Sequence, residues 1–211
     1  MDRFWLLTST TYGTWLPGDP RGFVSNVTDE TGKGVRHNEP GTPCDADMPR
    51  LQHFMRAALA GPPIYFTKEH ADAILAQFQE TAGYREWLLL AVAIMANHFH
   101  LVVGVKGDPK PDKLLGDFKS YASGALNRRF GKPESDTWWT EGGSKRKKAI
   151  LEAVLAAVEY VRNQPNPLVV WINEEEVQRL ASSGSLASGG RKPPVGDQGQ
   201  QGAYAPRSPG S

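Results

Sequence analysis

At 211 residues the chain is long enough for one domain with a proper core, and 39% hydrophobic with 22% charged residues is the make-up of a globular protein. A formal net charge of +1 excludes a global basic field, so any surface that grips phosphate has to be local. The single cysteine, Cys44, excludes an internal disulfide framework and a thiolate metal cluster, and fits a reducing compartment.

The opening run Met1 to Leu7 is too short for a signal peptide, and Leu88 to Met95 is too short to span a bilayer. The expectation is a soluble, cytoplasmic protein with no membrane partner. Phe4 to Tyr12 reads as a first core strand of aromatic, aliphatic and threonine residues, stopped at Gly13 and followed by the turn signals Pro17-Gly18-Asp19-Pro20. From Gly13 to about Arg50 glycine, proline and polar residues dominate without apolar periodicity, which suggests a long surface insertion in one domain (1–180) and not a second domain.

Thr67 can cap a helix from Lys68, with Ile74, Leu75, Phe78 and Ala82 as its apolar stripe and Gly83 as its stop. Trp87 to Met95 and His98 to Val105 read as two buried strands joined tightly at Ala96-Asn97. A second helix is expected from about Pro111 to Arg129, with Leu114, Leu115, Phe118, Tyr121, Ala122, Ala125 and Leu126 on its apolar face. Thr137-Trp138-Trp139-Thr140 looks like a short last strand. A third helix spans roughly Lys147 to Gln164, where Pro165 and Pro167 bar continuation. Strand, helix, strand, strand, helix, strand, helix is the order of an α+β, ferredoxin-like antiparallel sheet with helices on one face, plus a C-terminal tyrosine-bearing helix. From Ala181 onward serine, glycine, proline and glutamine are expected to form a disordered tail (181–211).

The chemistry concentrates at two places. His98 and His100 alternate with Phe99 along a strand, so both imidazoles lie on one face and could share a metal ion. Alone, such a pair is as readily a set of hydrogen-bonded histidines, yet two imidazoles within an apolar strand pair demand compensation. Tyr160 and Gln164 are four apart, hence one turn apart on one helix face. Alone, they read as a core aromatic and an exposed helix-terminal amide.

Together, Met95-Ala96-Asn97-His98-Phe99-His100-Leu101-Val102-Val103, Lys119 in the next helix, and Tyr160-Val161-Arg162-Asn163-Gln164 ahead of Asn166-Pro167 resemble the single-tyrosine HUH transposases: the insertion-sequence-200-like and REP-associated tyrosine transposases. The resemblance runs from about Arg3 to Pro167, and the separation of 60 between His100 and Tyr160 suits it. It implies a catalytic Tyr160, with His98, His100 and Gln164 as ligands of a divalent metal. It also implies nicking and rejoining of hairpin-forming single-stranded DNA through a 5′-phosphotyrosine, in a homodimer whose sites can borrow the other chain's tyrosine helix. An imidazole pair with an amide oxygen and no thiolate or carboxylate suits Mg2+ or Mn2+ better than zinc. The 13–50 insertion and the tail depart from the pattern.

Lys145, Arg146, Lys147 and Lys148 are candidate DNA-binding residues at what reads as a helix start, where cations oppose the helix dipole. Lys119, Arg128 and Arg129 form a second candidate patch, and Trp138 and Trp139 could stack on unpaired bases. Tyr121, on an apolar stripe, is expected to pack, and Tyr12 and Tyr84 are equally bland. Two other readings compete: a non-catalytic nucleic-acid-binding module on the same scaffold, and a metal-dependent hydrolase in which water attacks and Tyr160 only orients.

Overall fold

The computed structural model describes residues 1–20, 27–28, 34–35 and 48–187. It divides into two units, Met1–Thr14 with Ala60–Arg191 and Trp15–Leu59 with Lys192–Ser211. Cys44, much of the 13–50 insertion and the tail beyond residue 187 lie outside the described residues.

The first unit is built on strands β1 (Arg3–Thr10), β4 (Leu88–Ile94), β5 (His98–Val105), β6 (Ser144–Lys148) and β7 (Val169–Ile172). They form one sheet in the order β6-β1-β5-β4-β7, with every pairing antiparallel. Its first four members reproduce the ferredoxin-like order that the alternation of strands and helices predicts. Helices α2 (Lys68–Tyr84) and α3 (Pro111–Phe130) cover one face, where Ile74, Phe78, Leu114 and Phe118 meet Leu7, Val92, Phe99, Leu101 and Val103. On the other face α4 (Leu151–Arg162) packs Val154, Ala157, Val158 and Val161 against Leu6, Leu90, Ala91, Ala93 and Val102. Coverage on both sides explains why β4 and β5 read as unbroken apolar runs: neither parity of side chain meets water.

Local signals place the helices. Thr67 caps α2 reciprocally, its hydroxyl accepting from the His70 backbone N–H while its own N–H donates to His70 Nδ1 at 3.1 Å. Pro111 opens α3 and Gly131, at φ 83°, closes it. β4 carries a bulge at Leu90, so Leu90 and Ala91 both face α4 while Leu89 and Val92 face the α2–α3 layer.

Three expectations are corrected. The last ferredoxin-like strand is the cationic stretch Ser144–Lys148; Trp138 and Trp139 contribute only an isolated bridge from Trp139 to Thr11. The tryptophans are buried, with the Trp138 indole N–H donating to Asn127 Oδ1 and that of Trp139 to Ser123 Oγ and the Lys119 carbonyl. The tyrosine helix therefore begins at Leu151 and not at Lys147. The two prolines end α4 without ending the fold: β7 adds to the β4 edge, and α5 (Glu174–Ala187) follows, running past Ala181. Asn173 begins α5, its Oδ1 accepting the Glu176 N–H, while its own N–H and side-chain amide donate to the carbonyls of Leu90 and Leu89. Arg162 at the end of α4 grips Glu174 with two parallel bonds of 2.6 and 3.0 Å and reaches Glu159 at 3.0 Å.

In the second unit, β2 (Val27–Thr28) and β3 (Gly34–Val35) pair antiparallel, and α1 spans Pro49–Ala57. The insertion thus carries regular structure. Gly18, at φ 88°, lies so near the start of α1 that a Cβ there would stand 2.5 Å from the Gln52 nitrogen and the Met48 oxygen.

Gly143 admits β6 to the sheet. Its φ is 138°, and an added Cβ would lie 2.6 Å from both the Thr8 carbonyl oxygen and Leu115 Cδ2. Gly143→Ala is expected to destabilise the chain by about 1–3 kcal/mol through backbone strain and overpacking. Urea unfolding of the variant against the parent measures it, and an unchanged midpoint would refute the packing described.

Candidate active site

The alternation that sends Phe99 and Leu101 into the α2–α3 core turns His98, His100 and Val102 toward α4. The two imidazoles stand side by side as predicted, with ring centroids 5.0 Å apart and planes at 82°. Each is oriented through Nδ1: His98 donates to Asn97 Oδ1 at 2.6 Å, and His100 Nδ1 shares a 2.6 Å hydrogen bond with Thr8 Oγ1. Thr8 is the residue directly opposite His100 across the β1–β5 ladder. These contacts at Nδ1 fix the ring planes and leave each Nε2 turned away from them.

The turn carrying Asn97 is anchored from β1. Its carbonyl accepts the Thr11 N–H at 2.9 Å and the hydroxyls of Thr11 and Thr14 at 3.1 and 3.4 Å. Thr8, Thr11 and Asn97 have supporting positions that sequence reasoning did not assign. Only the strand register exposes them, because nothing in a threonine-rich first strand announces which hydroxyl will face which imidazole.

Tyr160 occupies the last turn of α4, and its hydroxyl lies 3.4 Å from His100 Nε2, the rings meeting edge-on at 5.1 Å. Tyrosine and histidines therefore meet within one chain. Gln164 follows the helix, and its Nε2 donates to the Tyr160 carbonyl at 2.9 Å. Among the described residues no hydrogen bond joins Gln164 to either histidine, and no three His, Cys, Asp or Glu side chains form a metal-binding group.

His100 is only 5% exposed, and burial, then the charges of His98 and Arg146, push its pKa down to about 3. It is neutral throughout the physiological range, as a nitrogen ligand must be. Such a weak base is a poor acceptor for the tyrosine proton. Two oriented imidazoles, with His100 neutral, are donors of the kind that a divalent ion takes.

The basic residues separate by strand parity. Because Ser144, Arg146 and Lys148 pair with Thr8, Leu6 and Phe4, they share the α4 face of the sheet. Lys145 and Lys147 pair with Leu7 and Trp5 and take the opposite face, where Lys145 binds Asp112 at 2.5 Å. Lys148 is held below the usual lysine range, by burial first and Arg146 second. Lys119 is bound inside the chain: its ammonium donates to the carbonyls of Thr140 (2.6 Å) and Gly142 (2.9 Å), and burial followed by the charge of Lys145 lowers its pKa to about 8. It clamps the loop leading into β6. Arg128, which reaches Gln77 at 3.4 Å, and Arg129, which lies over the Phe130 ring, belong to α3 on the far side of the sheet from Tyr160.

Burial leaves neither Trp138 nor Trp139 available for base stacking. Tyr121 does not pack as its stripe suggests: it is 41% exposed, with the Arg85 guanidinium 5.8 Å from its ring.

The family described as Transposase IS200 like matches residues 63–164, a stretch that holds His98, His100, Tyr160 and Gln164. No curated protein matches the sequence. Among solved structures, a REP-associated tyrosine transposase bound to a REP hairpin is 10% identical at a TM-score of 0.37, over 76% of this chain. The present chain spans 64% of that protein's length. The catalytic domain of the adeno-associated virus type 5 Rep protein is 16% identical at a TM-score of 0.34, over 89% of this chain and 100% of its own.

The depressed basicity of His100 sets a pH dependence. Since the unfolded chain takes up a proton near the ordinary pKa of 6.5 and the folded chain does so only near 3, this contribution to stability is intact above pH 6.5 and erodes as pH falls from there toward 3. In proton NMR the His100 ring resonances are expected to stay flat from pH 8 to about pH 4.5. A midpoint near 6.5 would contradict the dry, neutral site.

Proposed function

We propose, from the match of residues 63–164 to the family described as Transposase IS200 like, that the chain nicks and rejoins single-stranded DNA at hairpin-forming sites, with Tyr160 as nucleophile. The observation that carries the reading is the meeting of the Tyr160 hydroxyl with His100 Nε2 at 3.4 Å, beside a second imidazole on the same strand face.

The Tyr160 oxygen attacks the scissile phosphorus, an O–P bond forms, and the bond to the 3′ oxygen breaks. The phenolic proton is balanced by the proton gained by the leaving 3′-hydroxyl. The product is a 5′-phosphotyrosine, an ester of similar energy to the one broken, so a second 3′-hydroxyl reverses the step without ATP. Cleavage and joining are then one reaction run in two directions. His98, His100 and Gln164 would hold Mg2+ or Mn2+, which when bound supplies Lewis-acid polarisation of the phosphate. Thr8 and Asn97 hold both ring planes, Asn97 Oδ1 keeping the proton on His98 Nδ1, and α4 presents the nucleophile from a packed helix. Arg146, on the same face, offers a cation to the DNA backbone.

One chain assembles the tyrosine and the histidines, so a homodimer is not needed to complete that pair. A cytoplasmic setting goes with this reading. Among the described residues no helix is long and apolar enough to cross a membrane.

Incubated with labelled single strands from the DNA flanking its own gene and Mg2+ or Mn2+, the protein is expected to form a covalent adduct visible on denaturing gels. Tyr160→Phe is expected to form none, while His100→Ala and Gln164→Ala reduce the rate at least about a hundredfold. Metal-dependent cleavage with no adduct would instead identify a hydrolase, and binding without cleavage a nucleic-acid-binding module.

A further inference from the structure

A cavity of about 310 Å3 opens where the first residues of β1, the end of β6 and the start of α4 meet. It is at the small end of ligand pockets. Phe4, Leu151 and Val154 supply apolar walls, and Arg3, Lys148 and Ile150 also line it. Ile150 is 61% exposed at the N-cap of α4, a position where no side chain caps the helix.

The cavity lies on the same sheet face as the Tyr160 site. Phe4, Leu6 and Thr8 run along β1 on that face, flanked across the ladder by Lys148, Arg146 and Ser144. Thr8 touches His100, and Phe4 lines the cavity. Four steps along the strand separate them by about 13 Å, a distance of a few nucleotides. Arg146 and Lys148 form no ion pair among the described residues. Of the acids here, Asp2 lines the cavity and its Oδ2 accepts the Gly107 N–H at 2.8 Å, and Asp108 pairs with Arg3 at 2.7 Å. Cations therefore border an apolar recess, the arrangement that receives a flat base while holding its phosphates.

We propose that this cavity seats one base of the single-stranded DNA whose backbone leaves the Tyr160 site along the Ser144, Arg146 and Lys148 side of β6. The proposal rests on the single-strand reading above and adds to it a second contact that recognises a base and not only charge.

The test uses the full chain carrying Tyr160→Phe, so that binding is separated from reaction. It is titrated by anisotropy with dye-labelled oligodeoxythymidylate of about twelve nucleotides and with an abasic strand of equal length and charge. The base-bearing strand is expected to bind at least about tenfold more tightly. Added Ile150→Glu removes that preference, added Lys148→Glu weakens both strands, and added Lys132→Glu, on the opposite layer, changes neither. A glutamate at a helix N-terminus favours the helix, so loss of preference in Ile150→Glu with an unchanged Tm is not unfolding.

Equal binding of the two strands, or a preference that survives Ile150→Glu, overturns the base seat. If the parent chain still forms the Tyr160 adduct, the transposase reading stands while this one falls. Absence of binding to either strand, together with absence of an adduct, sinks both.

Discussion

The structure depends on the two-residue period of β5. This strand lies at the centre of the sheet and is packed on both faces, so each side chain is committed to one layer or the other. Phe99, Leu101, Val103 and Val105 are driven into the α2–α3 layer, and burial of such side chains contributes about 1.5–3 kcal/mol each. The apolar parity is what holds the polar parity still. His98 and His100 cannot rotate away from α4 without pulling their neighbours out of the core.

Around that strand the support is distributed so that each imidazole is held by a different piece of chain. β1 supplies Thr8 to one ring, and the β4–β5 turn, pinned by Thr11 and Thr14, supplies Asn97 to the other. α4 brings Tyr160 from the opposite side, and the Arg162–Glu174 fork ties the end of that helix to α5. Tyr160 and the two histidines thus sit on packed elements, with hydrogen bonds fixing ring orientation and packing fixing position. Neutrality of His100 follows from the same burial that fixes it.

What the sequence makes readable is what depends on local pattern. Thr67 and Pro111 mark helix starts, the stripe through Ile74 and Phe78 marks the buried side of α2, and unbroken apolar runs mark strands covered on two faces. The pairing of His98 with His100 needs only strand alternation. β6 escapes the same reasoning because an edge strand of Ser-Lys-Arg-Lys-Lys shows no apolar alternation. Its charges protect an open edge from further pairing, and alone they resemble a solvated helix start. Trp138 and Trp139 mislead in the opposite direction, since their β propensity comes from bulk that serves burial in a loop. The roles of Thr8 and Lys119 were hidden because both follow from register and loop closure, which are properties of pairs distant in sequence.

The bulge at Leu90 carries a meaning beyond strand geometry. Removing that residue would leave every remaining β4 side chain on its present face, so the sheet itself has no use for it. The Leu90 carbonyl, next in register after the Ala91–Ile172 pair of β4 and β7, accepts the Asn173 N–H at 2.8 Å where α5 begins. Bulge and helix start are therefore joined by one backbone hydrogen bond. A shift of the chain at Leu90 is thereby felt at the first residue of α5, on the far side of β7.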